Sequence, residues 1–235
     1  MLDYNVRVSG YLLKKGEKMD YNAIQENSVL RAYSRNQLKG TWGKMAFTIF
    51  IYFLITIGSQ FLFWEYGIID IPILDWIITI GVFITAGPFT LGIAGYFLKR
   101  IRGEEICTEN LFDGFSRFFQ SFLLCFFYFL FILLWSLLLI IPGIIKIYGY
   151  SMAYYIMYDN PDIKPLEAIK KSQIMMKGYK WKLFILHLSF IGWGLLCILT
   201  AGIGFLWLYP YVGLSEGNFY ENLKRNQEQM AVTSG

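Results

Sequence analysis

Charge is scarce in this chain: Asp, Glu, Lys and Arg together make up 16% of its 235 residues, against about a quarter in a soluble domain. With hydrophobic residues at 56% and aromatics at 19%, too little polar surface remains to cover a particle in water. A soluble globular reading is therefore excluded, and the chain is read as a polytopic membrane protein whose main solvent is lipid. Histidine is scarcer still, with His187 alone. The three cysteines, Cys107, Cys125 and Cys197, are odd in number and lack metal-ligand spacing, so neither a disulfide framework nor a cysteine metal site is implied. A cleavable leader is not expected either, because the first forty-four residues are polar and carry Lys14, Lys15, Lys18, Arg31 and Arg35. Insertion must rely on the first internal apolar segment.

What the chain has in abundance is apolar sequence. A spanning helix needs about 20 apolar residues, with shorter pieces possible where helices pair or stop part-way. Six segments qualify, at about 45–64, 76–98, 118–141, 144–158, 183–199 and 203–215. Ile141-Pro142-Gly143 is read as the reversal between the third and fourth, and Thr200-Ala201-Gly202 as the turn between the fifth and sixth. The expected fold is all-α: a transmembrane bundle of three helical hairpins, with cytoplasmic amphipathic helices. Its expected parts are a cytoplasmic segment 1–44 with an interfacial helix, a single bundle 45–225, and a flexible tail 226–235. Twenty of the twenty-one Lys and Arg fall on one side of this arrangement, and Lys146 alone on the other. The positive-inside bias then puts both termini in the cytoplasm.

A weak repeat runs through the boundaries. Lys39-Gly40-Thr41-Trp42-Gly43-Lys44 opens the first hairpin and Lys177-Gly178-Tyr179-Lys180-Trp181-Lys182 the third, with a looser Asp113-Gly114-Phe115-Ser116-Arg117 before the second. Thr85-Ala86-Gly87 echoes Thr200-Ala201-Gly202. Triplication and convergent interface composition both account for the recurrence, since Trp and Lys gather at membrane boundaries anyway. Lys39, Trp42, Lys44, Lys177, Lys180, Trp181 and Lys182 are accordingly expected to be interfacial anchors. Pro165 suits the start of a helix running to Lys177. Its apolar half is expected to carry Leu166, Ala168, Ile169, Met175 and Met176, with Ile174 as the exception.

The stretch from Trp135 to Leu223 contains Leu138-Leu-Ile-Ile-Pro-Gly-Ile, Asp159-Asn-Pro-Asp, Glu167-Ala-Ile-Lys-Lys-Ser and Lys177-Gly-Tyr-Lys-Trp-Lys-Leu-Phe. It continues with Leu188-Ser-Phe-Ile-Gly-Trp-Gly-Leu-Leu and Gly202-Ile-Gly-Phe-Leu-Trp-Leu-Tyr-Pro-Tyr. These motifs resemble the Gram-positive bacterial integral membrane proteins grouped as domain of unknown function 975. Leu38-Lys-Gly-Thr-Trp-Gly-Lys and Leu98-Lys-Arg-Ile-Arg-Gly-Glu extend the likeness from about Leu30 onward, leaving Met1 to about Asn27 outside it. The resemblance implies a multi-pass protein of a bacterial plasma membrane. It carries no established activity and no catalytic residue.

Candidate chemistry is thin. His187 lacks the second ligand that a metal site or proton relay needs, and is read as structural. Ser151, in Gly149-Tyr150-Ser151, invites a nucleophile reading with His187 as base, but a Gly/Ser pair is routine in helix packing. Glu104 and Glu105 lie in a polar link and read as a solvated face. Gln60, Lys146, Tyr150, Tyr154 and His187 remain as residues that could line a cavity. The short fourth segment and the Pro210-interrupted sixth are the pattern that marks transport sites between repeats; a continuous helix running on into cytoplasmic sequence is the plain alternative. The expectation is a non-enzymatic plasma-membrane protein without a cofactor. Its partners would be membrane lipids, or another membrane protein or peptide, and not nucleic acid. Envelope maintenance or immunity to membrane-active toxins would suit such a binder. The alternative is a small transporter or lipid-moving protein using a cavity between hairpins.

Overall fold

A computed structural model describes residues 6–8, 11–13, 26–58 and 72–233. Among these the chain is helical apart from one short antiparallel ladder, β1 (Val6–Val8) on β2 (Tyr11–Leu13). The helices are α1 (Asn27–Leu38), α2 (Trp42–Phe53) with a π-helical continuation Leu54–Gly58, α3 (Pro72–Ile101), and, after a 3-10 segment Thr108–Arg117, α4 (Phe118–Leu138). Then come α5 (Ile140–Tyr150), α6 (Ala153–Asp159), α7 (Pro165–Met175), α8 (Lys180–Leu188), α9 (Ile191–Leu199) and α10 (Phe205–Thr233). Three stretches are long and apolar enough to cross a membrane: Thr79–Ile101, Thr108–Leu138 and Lys180–Leu199.

Several boundaries differ from the sequence reading. The third segment ends at Leu138, before the Ile141-Pro142-Gly143 reversal, because a proline ring at 142 meets the carbonyl four residues back. Leu139 takes an extended conformation and Pro142 falls in the first turn of α5, where its missing N–H leaves no bond unmade. The fourth segment is two helices, α5 and α6, joined at Ser151–Met152. The fifth is likewise split, at Ser189–Phe190. The sixth does not stop at 215 or yield to a flexible tail at 226. Its backbone stays helical through Pro210 to Thr233, the plain alternative noted above.

The repeat is real in conformation only at its outer units. Gly40 and Gly178 both adopt positive φ, +78° and +87°, and each leads into a helix that carries the boundary Trp in its first turn. Gly114 instead lies buried in the 3-10 segment, against the Pro88 carbonyl, where no Cβ would fit. Thr85-Ala86-Gly87 is helix interior, whereas Ala201 and Gly202 form a left-handed turn.

Two apolar cores share α3 and α10. One gathers Leu91, Leu98, Met152, Ile156, Leu183 and Phe219, and the other Met45, Ile49, Tyr96, Leu111 and Leu214. α7 contributes Ala168, Ile169, Ser172 and Met175 to the interior, while Leu166 and Ile174 face outward. The expected face is thus turned away from Leu166. Ser172 explains it: its hydroxyl donates to the Gly149 carbonyl (2.9 Å) and accepts from the Met152 N–H (3.2 Å), pinning that side of α7 inward. At the α4–α5 and α9–α10 turns Leu137, Ile140, Ile141, Leu199 and Ile203 are 60–81% exposed. Apolar surface of that density suits lipid, not water.

Candidate functional site

α1 lies along α10 because of a buried polar seam. Ser215 Oγ donates to Ser34 Oγ at 3.0 Å, and Asn218 Nδ2 donates to Ser34 Oγ at 3.1 Å and to Gln37 Oε1 at 2.8 Å. Arg100 Nε adds a bond to the Gln37 carbonyl at 2.9 Å. Because the buried groups are satisfied, the seam holds one register at little cost.

That register leaves a groove of about 570 Å3 between α1, α9 and α10. Trp42, Trp193, Trp207 and Tyr211 form its aromatic walls, with Arg31 and Arg35 on the α1 side. The arginines share a face because they are one helical turn apart. The far end is marked by Thr200 and Gly204 at the α9–α10 turn, about 10 Å along α10 from Tyr211. Arg31 Nε is buried with no hydrogen-bond partner, and neither arginine enters an ion pair among the described residues. The α1 wall of the groove is thus cationic and the α9 and α10 walls mostly apolar. This arrangement can hold a molecule with an anionic head and a hydrocarbon body.

A second, smaller cavity of about 200 Å3 lies deeper, between α3, the α5–α6 turn and α10. Thr90, Ser151, Tyr154, Tyr155 and Tyr209 bring hydroxyls to it, and Glu216 a carboxylate. The Oε1 of Glu216 is 2.6 Å from Nε2 of His187. This corrects the reading of His187 as solitary: a carboxylate on α10, 29 positions away, is its partner. The Ser151 hydroxyl is not directed to His187, since it donates to the Tyr148 carbonyl at 2.9 Å.

The family described as "Protein of unknown function (DUF975)" matches residues 19–149 and again 137–227. The chain belongs to this family. Its match begins at residue 19, earlier than the resemblance at about Leu30 suggests, so part of the amino-terminal segment falls inside the family pattern. No curated protein and no solved structure matches the chain.

Two of the motifs that carry the DUF975 likeness meet in space. Asp159, which opens Asp159-Asn-Pro-Asp, lies under Arg102 of the Leu98-Lys-Arg-Ile-Arg-Gly-Glu link, 2.7 Å away, and under Lys224 of α10, also 2.7 Å away. Glu221 takes a second bond from Arg102, and the Tyr220 hydroxyl donates to Asp159 at 3.0 Å. The Asp159 side chain is only 5% exposed. Burial pushes its carboxyl up, but the hydrogen bonds from Lys224 and Arg102 outweigh this and hold it below the usual carboxylate range. Burial and the Asp159 charge push the Tyr220 phenol up. This cluster clamps three segments of the DUF975 bundle together, and every charge in it is matched.

The other expected site residues scatter. Trp42 lines the groove, whereas Trp181 is 69% exposed and stacks on Phe184 with ring centroids 4.9 Å apart. Lys39, Lys44 and Lys177 are exposed, while Lys180 and Lys182 are half-buried. Lys146 does not simply reach outward: its ammonium sits 4.4 Å from the Trp135 ring centroid and 5.9 Å from that of Tyr150. Tyr154 joins the deeper cavity, and His187 borders it through Glu216. Gln60 lies outside the described residues. Sequence reasoning missed Glu216, Arg31 and Arg35 as site residues. Glu216 stands one position beyond the expected sixth span, and the arginine spacing was a readable signal on α1.

Proposed function

We propose that this DUF975 protein is a non-enzymatic, multi-pass protein of a bacterial plasma membrane that binds a membrane partner, and that the partner is an anionic lipid held in the α1–α9–α10 groove. The observation that carries this reading is the pairing of Arg31 and Arg35, which enter no ion pair among the described residues, with an aromatic channel of about 570 Å3. Guanidinium groups bind phosphate oxygens in bidentate geometry, and tryptophan walls suit the headgroup and upper acyl region. A peptide occupant remains within the same class of function. Envelope maintenance and immunity to membrane-active toxins are the roles that such binding would serve.

The same proposal includes three hairpins with both termini cytoplasmic. It is supported by the twenty-to-one division of Lys and Arg across the six segments. In a Cys-free background, Asp70→Cys should react with an impermeant thiol reagent on intact cells and Lys170→Cys should not. Reaction at 170 alone overturns the orientation.

The lipid reading is tested by fluorescence in vesicles. Brominated phosphatidylglycerol should quench the tryptophans more strongly than brominated phosphatidylcholine at equal density, and Arg31→Gln with Arg35→Gln should abolish that preference. Equal quenching by both lipids in the wild type sinks the assignment of an anionic lipid. The alternative of a small transporter or lipid-moving protein is favoured by one observation only, the Glu216 cavity between hairpins.

A further inference from the structure

The deeper cavity is chemically distinct from the groove. Three of its five hydroxyls donate to the backbone: Thr90 to the Ala86 carbonyl at 2.7 Å, Ser151 to Tyr148 at 2.9 Å and Tyr155 to Gly213 at 3.5 Å. What such hydroxyls have left to offer is lone pairs. With Glu216 in the same wall, the cavity offers several oxygen acceptors and a carboxylate, which suit a cation and not an anion. Its volume, about 200 Å3, falls below the roughly 300–1,000 Å3 of drug-sized ligand pockets. That is too small for a lipid or peptide. It suits an alkali ion with part of its hydration, or a primary ammonium.

Glu216 also has a charge to settle. His187 lies on α8 about 10 Å from Lys180, within a stretch apolar enough to cross a membrane. A carboxylate about 30% exposed among apolar helices gains from a neutralising partner. His187 Nε2 lies 2.6 Å from it, and a cation in the cavity that Glu216 lines would neutralise it. The groups facing this pair are phenols, neutral near pH 7: Tyr128 on α4, Tyr148 on α5, Tyr155 on α6 and Tyr209 on α10 all feel the Glu216 charge. The ring of Tyr148 lies 5.7 Å from that of His187. On α8 itself, Lys180 is turned toward Gly149. No other charged side chain bonds to the pair among the described residues.

We propose that this cavity is a binding site for a small monovalent cation, with Glu216 as its charge partner. The site stands apart from the lipid groove and does not rest on it.

The full chain in detergent, titrated at constant ionic strength with sodium, potassium or methylammonium chloride against N-methylglucamine chloride, tests this by thermal shift. At least one small cation should raise Tm in a saturable manner at pH 8, while the bulky cation does not. A response to alkali ions identifies an inorganic site, and a response to methylammonium alone an amine site. Glu216→Gln should abolish the response while keeping brominated-lipid quenching, which reports a folded groove. Should that variant fail to fold, Thr90→Val, which removes one cavity oxygen at constant shape, should weaken binding. A wild type with no difference between small and bulky cations overturns the proposal, as does a folded Glu216→Gln variant with an unchanged response.

Discussion

Asp159 and Arg31 sit on the same molecule under opposite conditions. Around Asp159 every charge is answered: Arg102 bridges it to Glu221, Lys224 and Tyr220 close the remaining positions, and the carboxylate is almost wholly shielded. Around Arg31 and Arg35 no charge is answered among the described residues, although a cavity opens beside them. The difference separates a clamp from a receptor. A saturated ionic cluster has no bonding capacity left for a ligand. A buried guanidinium nitrogen without a partner has capacity that only a ligand or water can use.

The sharpest way to break this comparison is to neutralise each region in turn. Asp159→Asn leaves Lys224 unpaired and Arg102 with one carboxylate. Removing one member of a buried pair costs about 3–5 kcal/mol, and the partial exposure of both cations should reduce this to about 2–3 kcal/mol. Thermal unfolding in detergent should show it as a clear drop in Tm. Arg31→Gln with Arg35→Gln should stay within about 0.5 kcal/mol of wild type while losing the anionic-lipid preference. If the arginine variant were as unstable as Asp159→Asn, both regions would be structural.

Acid sharpens the same contrast. Because the Asp159 carboxyl is held down in the folded protein, its contribution is fully present above the unfolded-state value of about 3.9 and is lost as pH falls through the lower folded value. Stability should therefore decline below about pH 4, and Asp159→Asn should remove that part of the decline. A wild type and a variant with parallel acid profiles would show that Asp159 does not drive it.

His187→Gln should have a smaller effect. The pair with Glu216 is partly exposed on both sides, 29% and 30%, so a loss of about 1 kcal/mol is expected, with the protein still folded. Unfolding at room temperature would mean that the pair is a second clamp. Smallest of all is Trp181→Phe. The ring stacks on Phe184 at the surface, so the change should stay within about 0.5 kcal/mol in detergent. A loss several times larger would place Trp181 in the core packing.

Much of the helical layout was legible because it depends on neighbours in sequence. Apolar runs announce the three described stretches long and apolar enough to cross a membrane, out of six expected, and Pro142, Gly40 and Gly178 punctuate the chain through their own backbone limits. The reading erred where local signs are ambiguous. Pro210 resembled an interruption, yet α10 passes through it to Thr233, because tertiary contacts with α1, α2 and α3 hold both flanks. Leu166 matched the apolar pattern of α7, yet Ser172 set which face turned inward. The candidate sites were less legible still. Tyr154 and His187 were visible as residue types, but nothing local pointed to Glu216 as the group that joins them.

From the sequence alone come the lipid-compatible composition, the positions of the apolar segments and the charge asymmetry, since each is a property of short stretches and of their solvent. Only the tertiary structure decides which charges meet. Asp159 finds Arg102 and Lys224 across 57 and 65 positions, Glu216 finds His187 across 29, and Arg31 and Arg35 find no ion-pair partner among the described residues. The reason is geometric. An ion pair requires atoms within about 4 Å, and for residues far apart in the chain that distance is set by how whole helices pack, not by the residues beside them.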